Sequence, residues 1–360
     1  MNIHERLLDT NGPVALIIRE RLRSVAGKSS VVFPPTYAPD RDSGQKKSGY
    51  NIDEYKKFKN GNRCTIDSVQ SQANRIEPMF KESPYSALVP QIVIKSGIKE
   101  VNLLDAAHRL ADAAVRFSEL EEKVDTVFQQ YYGTGDACPI AELNPMSILF
   151  GAWDSRGTQA KLPRLFSSSI YADDVEELTR SSQFTPSFTV ADIGLSEEEL
   201  SEQEKDKWSR VGLAHAPGKA LGGVIVHGGI TREATLNLVA LRHLKGTDPE
   251  RTEKLQNYIL SLALVCATLE QDYDLRSGCQ LVRDGKDACT CLLVNRDGSE
   301  EPIVIDHKHA IALAAVAAEE FGIPATVSTY HFRPEKARES LDEAEAKKAK
   351  KANRAKKGAA

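Results

Sequence analysis

Hydrophobic and polar positions divide this chain into patterned segments separated by stretches without period. From Pro13 to Val25 (PVALIIRERLRSV) an Asn-Gly turn is followed by a β-branched, apolar run that becomes alternately charged, which predicts a first strand leaving the core. From Val31 to Asn62 the pattern lapses into Pro, Gly, Ser and Lys, predicting a long, basic and mobile excursion. Period returns at Thr65–Glu77, where Asp67 as N-cap and Gln70 three residues later predict a helix with Val69, Ala73 and Ile76 as its core stripe. Leu103–Phe117 (LLDAAHRLADAAVRF) is the firmest helical pattern of the amino-terminal half, and Ala172–Arg180 predicts another short helix. Asp192–Lys207, dominated by Glu and Ser, reads as a solvated insertion. Val224–Val226, a glycine turn and Thr231–Leu244 predict strand, turn and helix. Leu255–Asp272 predicts a long apolar-striped helix, Cys279–Arg283 and Pro302–Asp306 predict strands, and alanine-rich His309–Phe321 a last helix. Interspersed strands and helices without strict β-then-α alternation predict an α+β fold around an antiparallel sheet.

Composition adds limits. With 360 residues and 41% hydrophobic content the chain can bury a full core without metal or disulfides, and one elaborated domain is expected. The 47 basic and 51 acidic side chains leave a formal charge of -4, so any nucleic-acid surface must be local. Six scattered cysteines suit a reduced cytoplasm, MNIHERLLDT lacks the layout of a signal peptide, and no apolar run reaches membrane length. A cytoplasmic protein without a membrane partner is the expectation. Residues 336–360 form a Lys/Ala-rich tail that carries only basic charges from Ala346 onward, a composition whose functional reading is contact with nucleic acid.

The chemistry concentrates in two segments. Asn60–Glu77 (NGNRCTIDSVQSQANRIE) groups amides, hydroxyls and guanidinia that donate to phosphate and ribose without needing a particular base, which nominates Asn62, Arg63, Gln70, Ser71, Asn74 and Arg75. The plainer alternative is a well-capped, solvated helix. Trp153–Arg164 (WDSRGTQAKLPR) sets an aromatic beside spaced cations, the pattern that stacks a base and holds phosphates, and nominates Trp153, Lys161 and Arg164. A buried anchor tryptophan beside a surface loop is the alternative there.

Other constellations carry less. His108, Arg109, Asp112 and Arg116 lie at helical spacing, so His108 with Asp112 and Asp112 with Arg116 can pair along one face as a structural feature, and no neighbouring Ser or Cys motif offers a nucleophile. Gly218–Gly223 and His227-Gly228-Gly229 read as tight turns without the Lys-Ser/Thr ending of a triphosphate loop. Cys289 and Cys291 with His307 and His309 lack the spacing of a zinc finger or ribbon, so neither metal nor cofactor is expected.

At DSVQSQANRIE the sequence resembles the backbone RAMP subunit of type I-G (formerly I-U) CRISPR Cascade complexes. Supporting phrases follow in order: HRLADA (His108–Ala113), FGAWDSRG (Phe150–Gly157), IYADDVEELTR (Ile170–Arg180) and RSGCQLV (Arg276–Val282). The resemblance implies an RRM-like, ferredoxin-type palm over residues 1–335, with insertions near 31–62 and 185–220, one of them a thumb-like β-hairpin. It implies a non-catalytic subunit that coats guide crRNA, stacks on other copies of itself, and presents the guide to target DNA beside the large subunit and the crRNA-processing subunit. Each copy would bind the RNA backbone without reading sequence, leaving base edges free to pair. A metal-dependent RAMP-family RNA endonuclease using Asp67 or Asp154 is the competing reading, and a nucleotide-binding enzyme built on the glycine turns is a third.

Overall fold

The computed structural model describes residues 3–38, 49–55, 61–184, 186–195, 201–213 and 216–342. An antiparallel sheet of nine strands organises them. In chain order these are β1 (Ala15–Ser24), β2 (Ile52–Tyr55), β3 (Gly61–Asp67), β4 (Phe166–Phe184), β5 (Ala216–Asn237), β6 (Asp274–Arg276), β7 (Cys279–Arg283), β8 (Cys289–Val294) and β9 (Glu300–Pro302). One edge of β1 pairs with β8 over Ala15–Glu20 and with β7 over Leu22–Ser24; across its other edge follow β5, β4, β3 and β2. The spatial order β8-β1-β5-β4 is 4-1-3-2 in chain order, the ferredoxin-type arrangement, so the α+β expectation holds.

Among the helices that accompany the sheet are α1 (Val69–Ile76), α2 (Glu121–Thr134), α3 (Glu202–Arg210), α4 (Pro249–Thr268) and α5 (His307–Phe321). α4 makes the crossover from β5 to β8. Asp248 caps it by accepting from the Arg251 N–H, and from Tyr258 to Ala267 every residue is buried, because the helix packs against α5 and shares one hydrophobic cluster with the inward residues of β1 and β5. The stretch between β1 and β4 carries β2, β3, α1, α2 and the strands Gln91–Ser96 and Lys99–Asn102; Gln91–Ser96 pairs with Lys99–Asn102 and, in parallel, with Val327–His331 from beyond α5, which makes a small second sheet. None of the described helices is long and apolar enough to cross a membrane.

The inward face of the sheet is not uniformly apolar. Along β1 the inward positions run Leu16, Ile18, Glu20, Leu22; along β5 they run Leu236, Ala234, Arg232, Ile230; along β4 they run Phe166, Ser168, Ile170. In each strand one polar residue separates members of the main hydrophobic cluster from members of a smaller one. The polar residues join up: Arg232 meets Glu20 at 3.2 Å and Ser168 at 3.1 Å, Ser168 donates to Gln72, and Gln72 donates to Asp67. Tyr273 and Arg283 complete the shell of Glu20, while Arg75 and Arg276 complete that of Asp67. A buried charge tolerates such a place only when paired and hydrogen-bonded; Glu20 and Asp67 are so held, while Arg232 Nη2 and Arg276 Nη1 are buried without a hydrogen-bond partner.

Several local expectations change in the folded chain. Ala172–Arg180 is not helical but lies inside β4, where pairing with β5 along the segment, and with β3 at Ala172 and Asp173, outweighs the helix propensity of Ala and Glu. Thr231–Leu244 splits: Thr231–Asn237 alternates as the end of β5, and only Leu238–Arg242 is helical, capped by Asn237. Gly222, Gly223, Gly228 and Gly229 are accordingly strand residues rather than turns. Leu103–Phe117 is broken into two single turns and the short helix Ala113–Arg116, because the Asn102 and Asp112 side chains take backbone N–H groups that a continuous helix would use. The long helix of this region is α2 instead.

The N-cap of α1 is Ser68, which accepts from the Ser71 N–H; Asp67 is the buried last residue of β3, and Gln72 joins Ala73 and Ile76 on the buried face in place of Val69. The 31–62 excursion contributes Thr36–Tyr37 paired to Gly49–Tyr50, and β2 paired to β3; its segments 39–48 and 56–60 lie outside the described residues, as does the tail from 343. The last predicted strand is Glu300–Pro302 rather than Pro302–Asp306.

Candidate nucleic-acid cleft

The FGAWDSRG and KLPR phrases fold into a tight structure. Ala152–Trp153 pairs with Lys161–Leu162, so Trp153 stands opposite Lys161, whose Nζ lies 5.8 Å from the indole centroid. Between them Asp154 closes the loop by accepting from the N–H groups of Gly157 at 3.0 Å and Thr158 at 2.5 Å and from the Thr158 hydroxyl at 2.9 Å. Burial pushes the Asp154 carboxyl up, but these bonds and Arg116, 4.0 Å away, hold it below the usual carboxylate range. The loop is therefore pinned from within, and Trp153 is left 59% exposed.

A cleft of about 450 Å³ opens between this structure and the start of α1. Gln70, His108, Arg109, Trp153, Lys161 and Arg164 supply its polar and aromatic lining, Phe150, Gly151 and Pro163 part of its walls, and no carboxylate among the described residues lines it. Arg164 donates through Nε to the Phe150 carbonyl at 3.2 Å; desolvation and the nearby Arg109 both pull its pKa down, a strain that an incoming anion would relieve. Gln70 Nε2 donates to Asn74 Oδ1 at 2.9 Å and to the Ala107 carbonyl at 3.0 Å, which anchors the α1 side of the cleft.

Of the nine nominated residues, the fold thus brings Gln70, Trp153, Lys161 and Arg164 together, with Asn74 bonded to Gln70. Ser71 is partly buried beside its cap. The other three are engaged within the protein. Asn62 bridges the backbone of Val175 in both directions, at 2.9 and 2.7 Å. Arg63 forks onto Asp173 at 2.7 and 3.1 Å and lies 3.7 Å over the Tyr171 ring. Arg75 binds Asp67 at 3.0 Å and the Leu275 carbonyl at 2.9 Å. Asp67 and Asp154, the carboxylates a metal-dependent nuclease would use, spend their oxygens on protein donors. His307 bonds Tyr85 at 2.9 Å and Thr268 at 2.8 Å.

Sequence reasoning missed the floor of the cleft. Arg109, buried, grips Glu77 through Nε at 3.0 Å to both carboxylate oxygens and through Nη2 at 2.5 Å. Burial drives the Glu77 carboxyl up to about 7 against the pull of Arg109. The helical pattern of HRLADA gave no sign of this, since Arg109 adopts a left-handed φ of 53° and its partner lies in another segment.

Fold and site together define a ferredoxin-type α+β protein with a cation-lined cleft flanked by an exposed aromatic. Residues 16–177 match the family model of the CRISPR-associated protein GSU0053 (Cas_GSU0053), which supports a CRISPR-associated protein with a role in CRISPR defence. The matched segment contains every residue that lines the cleft. No curated protein matches the chain.

Proposed function

We propose that this chain is a non-catalytic, guide-RNA-binding backbone subunit of a type I CRISPR surveillance complex. The observation that carries the reading is the cleft itself: Lys161 and Arg164, with no carboxylate partner among the described residues, beside exposed Trp153, within a segment matching a CRISPR-associated family. Cations take phosphate oxygens and an indole face stacks any base, so the site suits a single strand of arbitrary sequence. Copies would assemble along the guide crRNA in a heterologous, non-closing array, and target DNA would be met through base pairing with the bound RNA. The large subunit and the crRNA-processing subunit are the expected further partners.

The test is binding of the purified chain to single-stranded RNAs of unrelated sequence across a salt series, beside a Lys161→Ala/Arg164→Ala variant. The reading expects sequence-independent binding, with the slope of log K against log salt flattened in the variant by about 0.7 for each phosphate that is no longer neutralised. Equal salt slopes for variant and wild type would remove the cleft from the interface. Divalent-metal-dependent cleavage of the RNA would replace the reading with the nuclease alternative.

A further inference from the structure

Beneath the cleft, the Glu77–Arg109 pair has no role in the reading above, yet it is the most elaborately held feature of the region. Arg109 is 3% and Glu77 2% exposed. The Arg109 backbone sits at φ 53°, a conformation that a side chain with a Cβ adopts only when surroundings enforce it. Its guanidinium spends two nitrogens on Glu77 and the third, Nη1, on the Gly151 carbonyl at 2.9 Å, with its carbon 5.4 Å over the Phe150 ring. Arg164 in turn donates to the carbonyl of Phe150 at 3.2 Å. Gly151, at φ 80°, leads directly into the Ala152–Trp153 strand, and a Cβ there would stand 3.1 Å from the Leu162 carbonyl. Two guanidinia therefore clamp adjacent carbonyls of the turn from which Trp153 projects.

We infer that Glu77, though it lines no part of the cleft, is the positioning residue of the site: by fixing the Arg109 fork it holds the Phe150–Gly151 turn, and so sets the spacing of Trp153 and Arg164 at which an unpaired nucleotide is held. This rests on the reading of the cleft as an RNA site. Charge alone does not account for the arrangement. A neutralising partner could be supplied by any cation, whereas simultaneous bonding to both Glu77 oxygens and the Gly151 carbonyl requires the planar fork of arginine. Lysine at position 109 would keep the charge and the ion pair but could not also hold the Gly151 carbonyl.

The experiment uses the full chain with Trp208→Phe, which leaves Trp153 as the sole tryptophan, since the sequence holds two. Quenching of its emission by a short single-stranded RNA reports stacking, and the salt slope of binding separately reports phosphate neutralisation. In Arg109→Lys and in Glu77→Gln, shown to be folded by circular dichroism, quenching at saturation is expected to fall at least twofold while the salt slope stays at its wild-type value. Gly151→Ala, which strains the same turn and leaves both side chains of the pair in place, is expected to give the same signature and serves if the buried variants do not fold. Absence of quenching in the Trp208→Phe parent would overturn the RNA reading of the cleft, and this inference with it. A normal parent with unchanged quenching in the folded variants would overturn the positioning role alone.

Discussion

Glu20 illustrates how much a single side chain can depend on its surroundings. Burial pushes its carboxyl up, but the hydrogen bonds of Tyr273 and Arg283 and the charges of Arg232 and Arg283 prevail and hold it below its ordinary value of 4.5. A carboxyl with a depressed folded pKa contributes stability that is complete above the unfolded value and lost as pH falls through the folded one. Acid unfolding should therefore begin below about pH 4.5, and Glu20→Gln should flatten that part of the stability-against-pH curve; both are read by denaturant titration at stepped pH. Glu20→Ala should cost about 3–5 kcal/mol, because it leaves Arg232 buried without its counter-charge. At the cleft, Trp153→Ala should weaken RNA binding by about 1–3 kcal/mol with little change in melting temperature, since an exposed indole contributes to stacking rather than to the core.

Among the elements, β4 and β5 form the longest hairpin, and its irregularities come in pairs. The register slips at Asp173/Val175 and again at Glu177/Thr179. Opposite the first slip stands Gly228, where a Cβ would meet the Asp173 carbonyl at 2.7 Å; opposite the second stands Gly222, where it would meet the Leu178 carbonyl at 2.7 Å. Each glycine lets the backbones close over a bulge, which is why the phrases that read as turns lie inside a strand. Gly228→Ala and Gly222→Ala should each lower the unfolding midpoint, whereas Gly285→Ala, set at a position with open space but left-handed φ of 101°, should cost only the local strain. The cap of α1 is a smaller matter of the same scale: Ser68→Ala should cost about 1 kcal/mol in a denaturation experiment.

For the molecule as a whole, the polar seam divides the interior into a large cluster packed with α4 and α5 and a small one under the bulged hairpin. The cleft lies with the large cluster: Phe150 and Leu162 belong to it. On the proposed reading, copies bound to one RNA should increase in steps with RNA length, and mass photometry at low salt should resolve a ladder whose spacing is one protomer. A single copy per RNA at every length would contradict the array.

The sequence by itself determined the ends of the fold well. β1, α4, β7 and α5 were legible because their partners lie on one side or all round, so the apolar period is clean. The α+β class followed from their order, and Trp153, Lys161 and Arg164 were legible as a local phrase of aromatic and cations. Tertiary structure decided the rest. Ala172–Arg180 became a strand because β5 pairs along it and β3 pairs with its first two residues, and Leu103–Phe117 broke because side-chain caps and a buried ion pair outweigh helix propensity. Which of the polar residues in NGNRCTIDSVQSQANRIE face the cleft was likewise beyond local reading. Arg63 and Arg75 found carboxylates at Asp173 and Asp67, while Gln70 met the Trp153 structure across space. An ion pair or a cleft wall joins residues far apart in the chain, and such pairings form only when the sheet and its insertions have closed around them.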